Sequence, residues 1–172
     1  MFLNYIKAFF VKKTLKKSLH NVKSNRLSSA VQTVGLLIDA SRFFEKKALI
    51  QELISNGIAQ ENIKVIVYND KFDEKGVSGV AFLGMKHLSW KGDIVDPAVA
   101  DFVAEKFDLL ISYYDVEKAI LMLVTNNSQA KFKVGFSAVD KRLNHLMITG
   151  QVENYKIFTH ELFRYLKILN KL

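Results

Sequence analysis

The chain has 172 residues, 49% of them hydrophobic and 24% charged, and contains no cysteine. That length suits one domain around a single core, and without thiols there is no disulfide framework, thiolate nucleophile or thiolate metal site. The net charge of +8 is local: residues 1–26 hold seven basic residues and no acidic one, whereas the rest carries 18 Lys and Arg against 17 Asp and Glu.

A near-neutral body therefore carries a cationic arm, which has a physical use where something anionic meets it. Its anion-binding candidates are Lys7, Lys12, Lys13, Lys16, Lys17, Lys23 and Arg26. At about 100° per residue a helix here places Phe2, Leu3, Tyr5, Ile6, Phe9 and Phe10 on one apolar face. Leu15, Leu19 and Val22 emerge roughly opposite, so a break is expected near residues 11–14. No apolar run reaches the ~18 residues of a membrane-spanning helix. The apolar stretch precedes the basic cluster, the reverse of a secretory signal. The expected location is cytoplasmic, with association to a ribosome or to the inner membrane surface as refinements.

Residues 24–30 are small and polar, and read as a linker joining the arm (residues 1–26) to a single α/β domain (residues 27–172). Residues 33–38 form a continuous apolar run ended by Asp39, the pattern of a parallel strand buried on both faces. Ser41 is placed to cap a helix over residues 42–56, with Gly57 as its stop. Residues 63–68 form the next strand, closed by Asn69 and Asp70, and a right-handed crossover makes it parallel to the first. Residues 72–92 read as an irregular excursion with an edge strand near 80–83. Pro97 opens a short helix capped by Asp96. A strand at 107–112, an apolar helix at 116–125, strands at 131–136 and 146–148, and an amphipathic helix at 153–172 complete the chain. The fold class is α/β: one Rossmann-like or flavodoxin-like, mostly parallel sheet with helices on both faces, plus a basic N-terminal helix and an amphipathic C-terminal helix.

In open α/β sheets, ligands bind beyond the carboxyl ends of the strands. The candidate crevice residues are therefore Asp39, Ser41, Asn69, Asp70, Ser112, Tyr113, Asp115, Ser137 and Arg142. Tyr113, Tyr114 and Asp115 offer two rings beside a carboxylate, although turns and helix caps also favour polar residues at these places. Gly35 lies inside the first strand and no clustered glycines follow it, which argues against a dinucleotide or P-loop phosphate cradle. The four histidines show no ligand spacing, so neither a metal nor another cofactor is expected. Trp90 is assigned to cover an edge of the core.

The basic N-terminal helix, Val34-Gly35-Leu36-Leu37-Ile38-Asp39, Phe107-Asp108-Leu109-Leu110-Ile111 and residues 130–136 together resemble a small uncharacterised bacterial family, over almost the whole chain. Residues 108–136 are also similar to the amino-terminal half of heptosyltransferase-type glycosyltransferases. That resemblance implies a sugar-nucleotide enzyme of two Rossmann-like domains, of which this chain has one.

The leading expectation is a non-catalytic binding module whose lysines contact RNA or a ribonucleoprotein such as the ribosome. The other expectations are a peripheral protein of an anionic membrane surface, and a glycosyltransferase-like or other small-ligand enzyme using the strand-end crevice. A deep pocket joining Asp39, Tyr113 and Asp115 would distinguish the enzyme.

Overall fold

A computed structural model describes residues 2–22, 30–70 and 81–172, without the side chain of Phe2. Lys23, Arg26, residues 24–29 of the linker and residues 72–80 of the irregular excursion lie outside the described residues. The elements run α1 (Phe2–Ser18), β1 (Val34–Asp39), α2 (Lys46–Ser55), β2 (Ile63–Tyr68), β3 (Ala81–Leu83), α3 (Pro97–Ala104), β4 (Leu109–Tyr113), α4 (Ala119–Asn127), β5 (Phe132–Phe136), β6 (Leu146–Ile148) and α5 (Tyr155–Ile168).

The six strands make one sheet of order β3-β2-β1-β4-β5-β6, parallel at every pairing. The first half of the chain builds outward from β1 in one direction and the second half in the other, so the connection order reverses between β1 and β4. α2 packs with α5, whereas α4 meets both α1 and α3, so helices cover both faces. Double coverage explains why β1 and β4 are buried along their whole length and read as unbroken apolar runs.

Local chemistry sets the element ends. Asp96 caps α3 through its carboxylate, which accepts the Val99 N–H, with Pro97 in the first turn. Gly57, at φ +99°, ends α2 in the left-handed region. Gly35 serves close approach: a β-carbon there would lie 2.7 Å from the Phe107 ring.

Two expectations are corrected. α2 begins at Lys46 with Glu45 at its cap position and no side-chain cap, because Ser41 turns back to the Asp39 carboxylate instead. α1 is a continuous helix with no break at residues 11–14. The helix has no need to bend, because it buries the face carrying Lys7, Val11 and Leu15 and leaves Leu3, Tyr5, Phe9 and Phe10 exposed. Val11, Leu15 and Leu19 join the main core, at about 1.5–3 kcal/mol for each fully buried aliphatic side chain.

At the start of β4, Asp108 braces the chain entering β1. Its carboxylate accepts the N–H groups of Gln32 and Thr33 and pairs with Lys131 at 2.7 Å. Burial opposes ionisation there, but these hydrogen bonds prevail and hold Asp108 down to about 2.

Lys133 points from β5 to the carboxyl end of α4, where its ammonium donates to the carbonyls of Thr125 and Asn126. It is 5% exposed, and burial pushes it down to about 8. Between pH 8 and 9.5 the unfolded chain then holds a proton that the folded one has released, so stability rises with pH. Above that window the buried Tyr68, Tyr113 and Tyr114, all raised chiefly by burial, act in the opposite sense. Urea denaturation is expected to show a gain of about 1–2 kcal/mol between pH 8 and 9.5 in the wild type, and no such gain in Lys133→Met.

Candidate functional site

Asp39 ends the central strand β1 with 1% of its surface exposed. A carboxylate that deep needs partners. Its Oδ1 accepts the backbone N–H and the hydroxyl of Ser41. Its Oδ2 has no hydrogen bond but faces Lys118 Nζ at 2.8 Å as an opposite charge. Lys118, immediately before α4, also pairs with Asp70 at 2.9 Å and donates to the Ser41 hydroxyl. Its ammonium lies 4.8 Å from the centre of the Tyr68 ring, and the Tyr68 hydroxyl donates to Asp70 at 2.7 Å. Burial raises Asp70, but the Lys118 and Tyr68 hydrogen bonds outweigh it and hold the group below the usual carboxylate range. Five side chains from β1, β2 and the approach to α4 thus form one polar cluster at the carboxyl ends of the strands.

The structure therefore unites Asp39, Ser41 and Asp70 from the candidate crevice. It adds Lys118 and Tyr68, which the sequence reading left out because a lysine before an apolar helix and a tyrosine at a strand end are ordinary there. Asn69 continues the strand ladder, its N–H donating to the Leu83 carbonyl. The remaining candidates serve other ends.

Tyr113 is core, with its ring centre 4.7–5.1 Å from those of Phe43, Phe158 and Phe136 and its hydroxyl donating to the Val152 carbonyl. Alternation along β4 turns it into the α2–α5 face. Ser112, Tyr114 and Thr125 form a buried hydroxyl network. Asp115 pairs with Arg42 at 3.1 Å instead of capping α4. Ser137 bonds the Thr149 hydroxyl at the surface. Arg142 grips Asp140 through two nitrogens and donates to the Leu19 carbonyl. With Tyr113 sealed, the deep Asp39–Tyr113–Asp115 pocket anticipated for an enzyme is not formed. Trp90 is 59% exposed and so does not seal the core edge.

The arm lies against the body. Lys7, 8% exposed, donates to the carbonyls of Met85 and Leu88. Lys12 and Lys16 converge on Glu117 at 3.1 and 2.6 Å, and Lys12 also donates to the Glu117 carbonyl. Burial raises Glu117, but these two lysines prevail and lower it. Lys13 and Lys17 remain exposed.

A cleft of about 540 Å³ opens beside the Lys118 cluster, between α1 and the strand ends. Ala8 and Phe9 of α1, Met85 and Ala119 supply apolar wall; Asp70, Glu117 and Lys118 lie at its polar side. Among the described residues no three His, Asp or Glu side chains converge as a metal-holding group, and no helix is long and apolar enough to cross a membrane.

A model of a family of unknown function, DUF6913, matches residues 7–169. No curated protein and no solved structure matches the chain, so the similarity of residues 108–136 to glycosyltransferases finds no support there.

Removing Lys118 leaves Asp39 charged and buried without its counter-ion. Lys118→Met is expected to cost about 3–5 kcal/mol in chemical denaturation. Adding Asp39→Asn is expected to recover part of that loss, since the uncompensated charge then disappears. Simply additive losses would show that the two groups are not coupled.

Proposed function

The chain belongs to DUF6913, a family of unknown function that carries no activity over to it, and we propose that it is a non-catalytic binding module that docks on an anionic lipid surface through α1. The supporting observation is the outward side of that helix. Leu3, Tyr5, Phe9 and Phe10 are 56–74% exposed on a helix whose opposite face is already packed into the core.

The outward side is graded along its axis. The first turns present the apolar and aromatic residues, and the later ones present Lys13 and Lys17. Lys13 lies 6.0 Å from the Phe9 ring centre. Phe10 and Trp90 line one shallow groove, extending the apolar area to the segment before α3. Aromatic rings beside lysines suit the boundary between headgroups and acyl chains, where apolar burial and attraction to anionic lipid act together.

Charge direction favours lipid over RNA. Of the five described arm lysines, Lys7, Lys12 and Lys16 are committed to the body, which leaves Lys13 and Lys17 for phosphates. Among the described residues the arm thus offers two phosphate contacts, which give a salt slope of only about −1.4 on single-stranded RNA. A membrane mode needs few cations, because about 1 kcal/mol per lysine is added to the apolar term.

Flotation with vesicles containing phosphatidylserine tests the reading. The wild type is expected to float, and the triple variant Phe9→Ser, Phe10→Ser, Trp90→Ser to stay behind while its circular dichroism is unchanged. Lys13→Gln with Lys17→Gln is expected to weaken binding by about 2 kcal/mol in total. RNA filter binding on the same proteins decides the alternative: affinity lost with the two lysines but indifferent to the three aromatic substitutions would assign the surface to RNA.

A further inference from the structure

We propose that the cleft between α1 and the strand ends binds a planar, amine-bearing heterocycle of the nucleobase class, with Asp70 accepting from the ligand's amine. This goes beyond lipid docking and does not depend on it.

The cleft has the size of a small-molecule site, about 540 Å³, and opens where parallel α/β sheets hold ligands, beyond the carboxyl ends of strands. The chemistry of its polar side follows from counting donors and acceptors. The Lys118 ammonium donates to Asp70 and Ser41 and is paired in charge with Asp39. One oxygen of Glu117 takes Lys12 and Lys16, and the other accepts the Asp140 N–H. Asp70 differs. Among the described residues its oxygens accept from Tyr68 and Lys118, with the Ser41 hydroxyl as a third partner, whereas a carboxylate offers about four acceptor sites. Its side chain is 53% exposed and borders the cleft. The cleft thus offers a strong acceptor while its lysines are engaged, so the complementary ligand brings an N–H donor.

Shape and charge narrow the class further. The walls are largely apolar, with the Tyr5 and Phe9 rings at the rim, which suits a flat ring able to stack. A phosphate-bearing ligand fits poorly. No clustered glycines follow β1, where the residues are Asp39, Ala40, Ser41 and Arg42, and the ammonium nearest the strand ends is already neutralised by two carboxylates.

The test is amide NMR titration of the full chain, without vesicles, using adenosine, cytidine and purine riboside, which is adenosine without its amine. Adenosine or cytidine is expected to shift the resonances of Tyr68, Asp70, Lys118 and Ala119 saturably, with Kd near 0.1–1 mM, about −4 to −5.5 kcal/mol. Purine riboside is expected to bind about tenfold more weakly than adenosine, the loss of one hydrogen bond to a charged group. Asp70→Asn is expected to reduce binding of the amine ligands by about tenfold. Because that change also removes an ion pair to Lys118, Ala8→Phe serves as a second variant that fills the cleft from α1 and leaves Asp70 intact; it is expected to abolish the shifts. Saturable binding by neither amine probe at millimolar concentration would overturn the proposal. Equal affinity for adenosine and purine riboside, or binding unaffected by both substitutions, would also overturn it. Failure of the wild-type chain to float with vesicles leaves this result untouched, so the two readings fail separately.

Discussion

A carboxylate held at 1% exposure at the end of the central strand is the constraint around which the strand-end face is organised. Asp39 is far too deep to be neutralised by solvent, so its stability as an ion rests on groups brought in by other elements. Ser41 supplies two donors at once and thereby keeps the chain after β1 in a tight turn. Lys118 supplies the charge, and its position fixes the approach to α4. Asp70 joins from the end of β2 by sharing the same ammonium. The cluster therefore ties together the outgoing segments of three strands, β1, β2 and β4, on the two sides of the point where the sheet changes direction.

The same physics governs the basic segment at the start of the chain. A lysine-rich helix laid against a protein must either turn its ammonium groups to solvent or find them acceptors, since an unpaired buried charge is prohibitive. α1 does both. On the inner side Lys7 reaches the carbonyls of Met85 and of Leu88, the latter a partner in the antiparallel bridge to Ile94, while Lys12 and Lys16 share Glu117. At its far end the Leu19 carbonyl accepts from Arg142, and the Val22 N–H donates back to the Arg142 carbonyl. α1 is thus strapped to the region before α3, to the start of α4 and to the turn after β5, and its exposed aromatic residues face outward because the inward side is already complete.

The strands were legible because their burial on both faces leaves little choice of residue: β1 is Val-Gly-Leu-Leu-Ile-Asp, fully buried at every position, and β2, β4 and β5 follow closely where the apolar runs lie. Helix starts were harder to read. Ser41 has good capping chemistry, but its hydroxyl and N–H were taken by Asp39 two residues earlier, and a local competitor of that kind leaves no distinctive pattern. Within the strand-end cluster, the acidic and hydroxyl members were visible as strand-terminal polar residues, whereas Lys118 was hidden by its place in front of an apolar helix. The direction of the arm lysines was hidden for a different reason. Lys7 meets carbonyls 78 and 81 residues away, and Lys12 meets Glu117 105 residues away. Composition counts such charges but carries no information on which of them the tertiary fold neutralises.

The closure of the switch point explains why the opening lies where it does. In a sheet of this order the crevice expected to receive a ligand lies between β1 and β4. Here that position is occupied from within: the Asp39–Lys118 pair fills one part, Arg42 and Asp115 bridge β1 to β4 across another, and the Tyr113 ring is packed among phenylalanines. The space that remains is displaced toward β2, where Asp70 projects beyond the sheet and α1 forms the opposite wall. Because that wall belongs to a helix whose outer side carries the exposed aromatics, Phe9 borders the cleft and the outward surface together. Any event that moves α1 relative to the body must therefore also reshape the cleft, and the ion pairs through Glu117 resist such movement together with the Lys7 hydrogen bonds and the buried Val11 and Leu15.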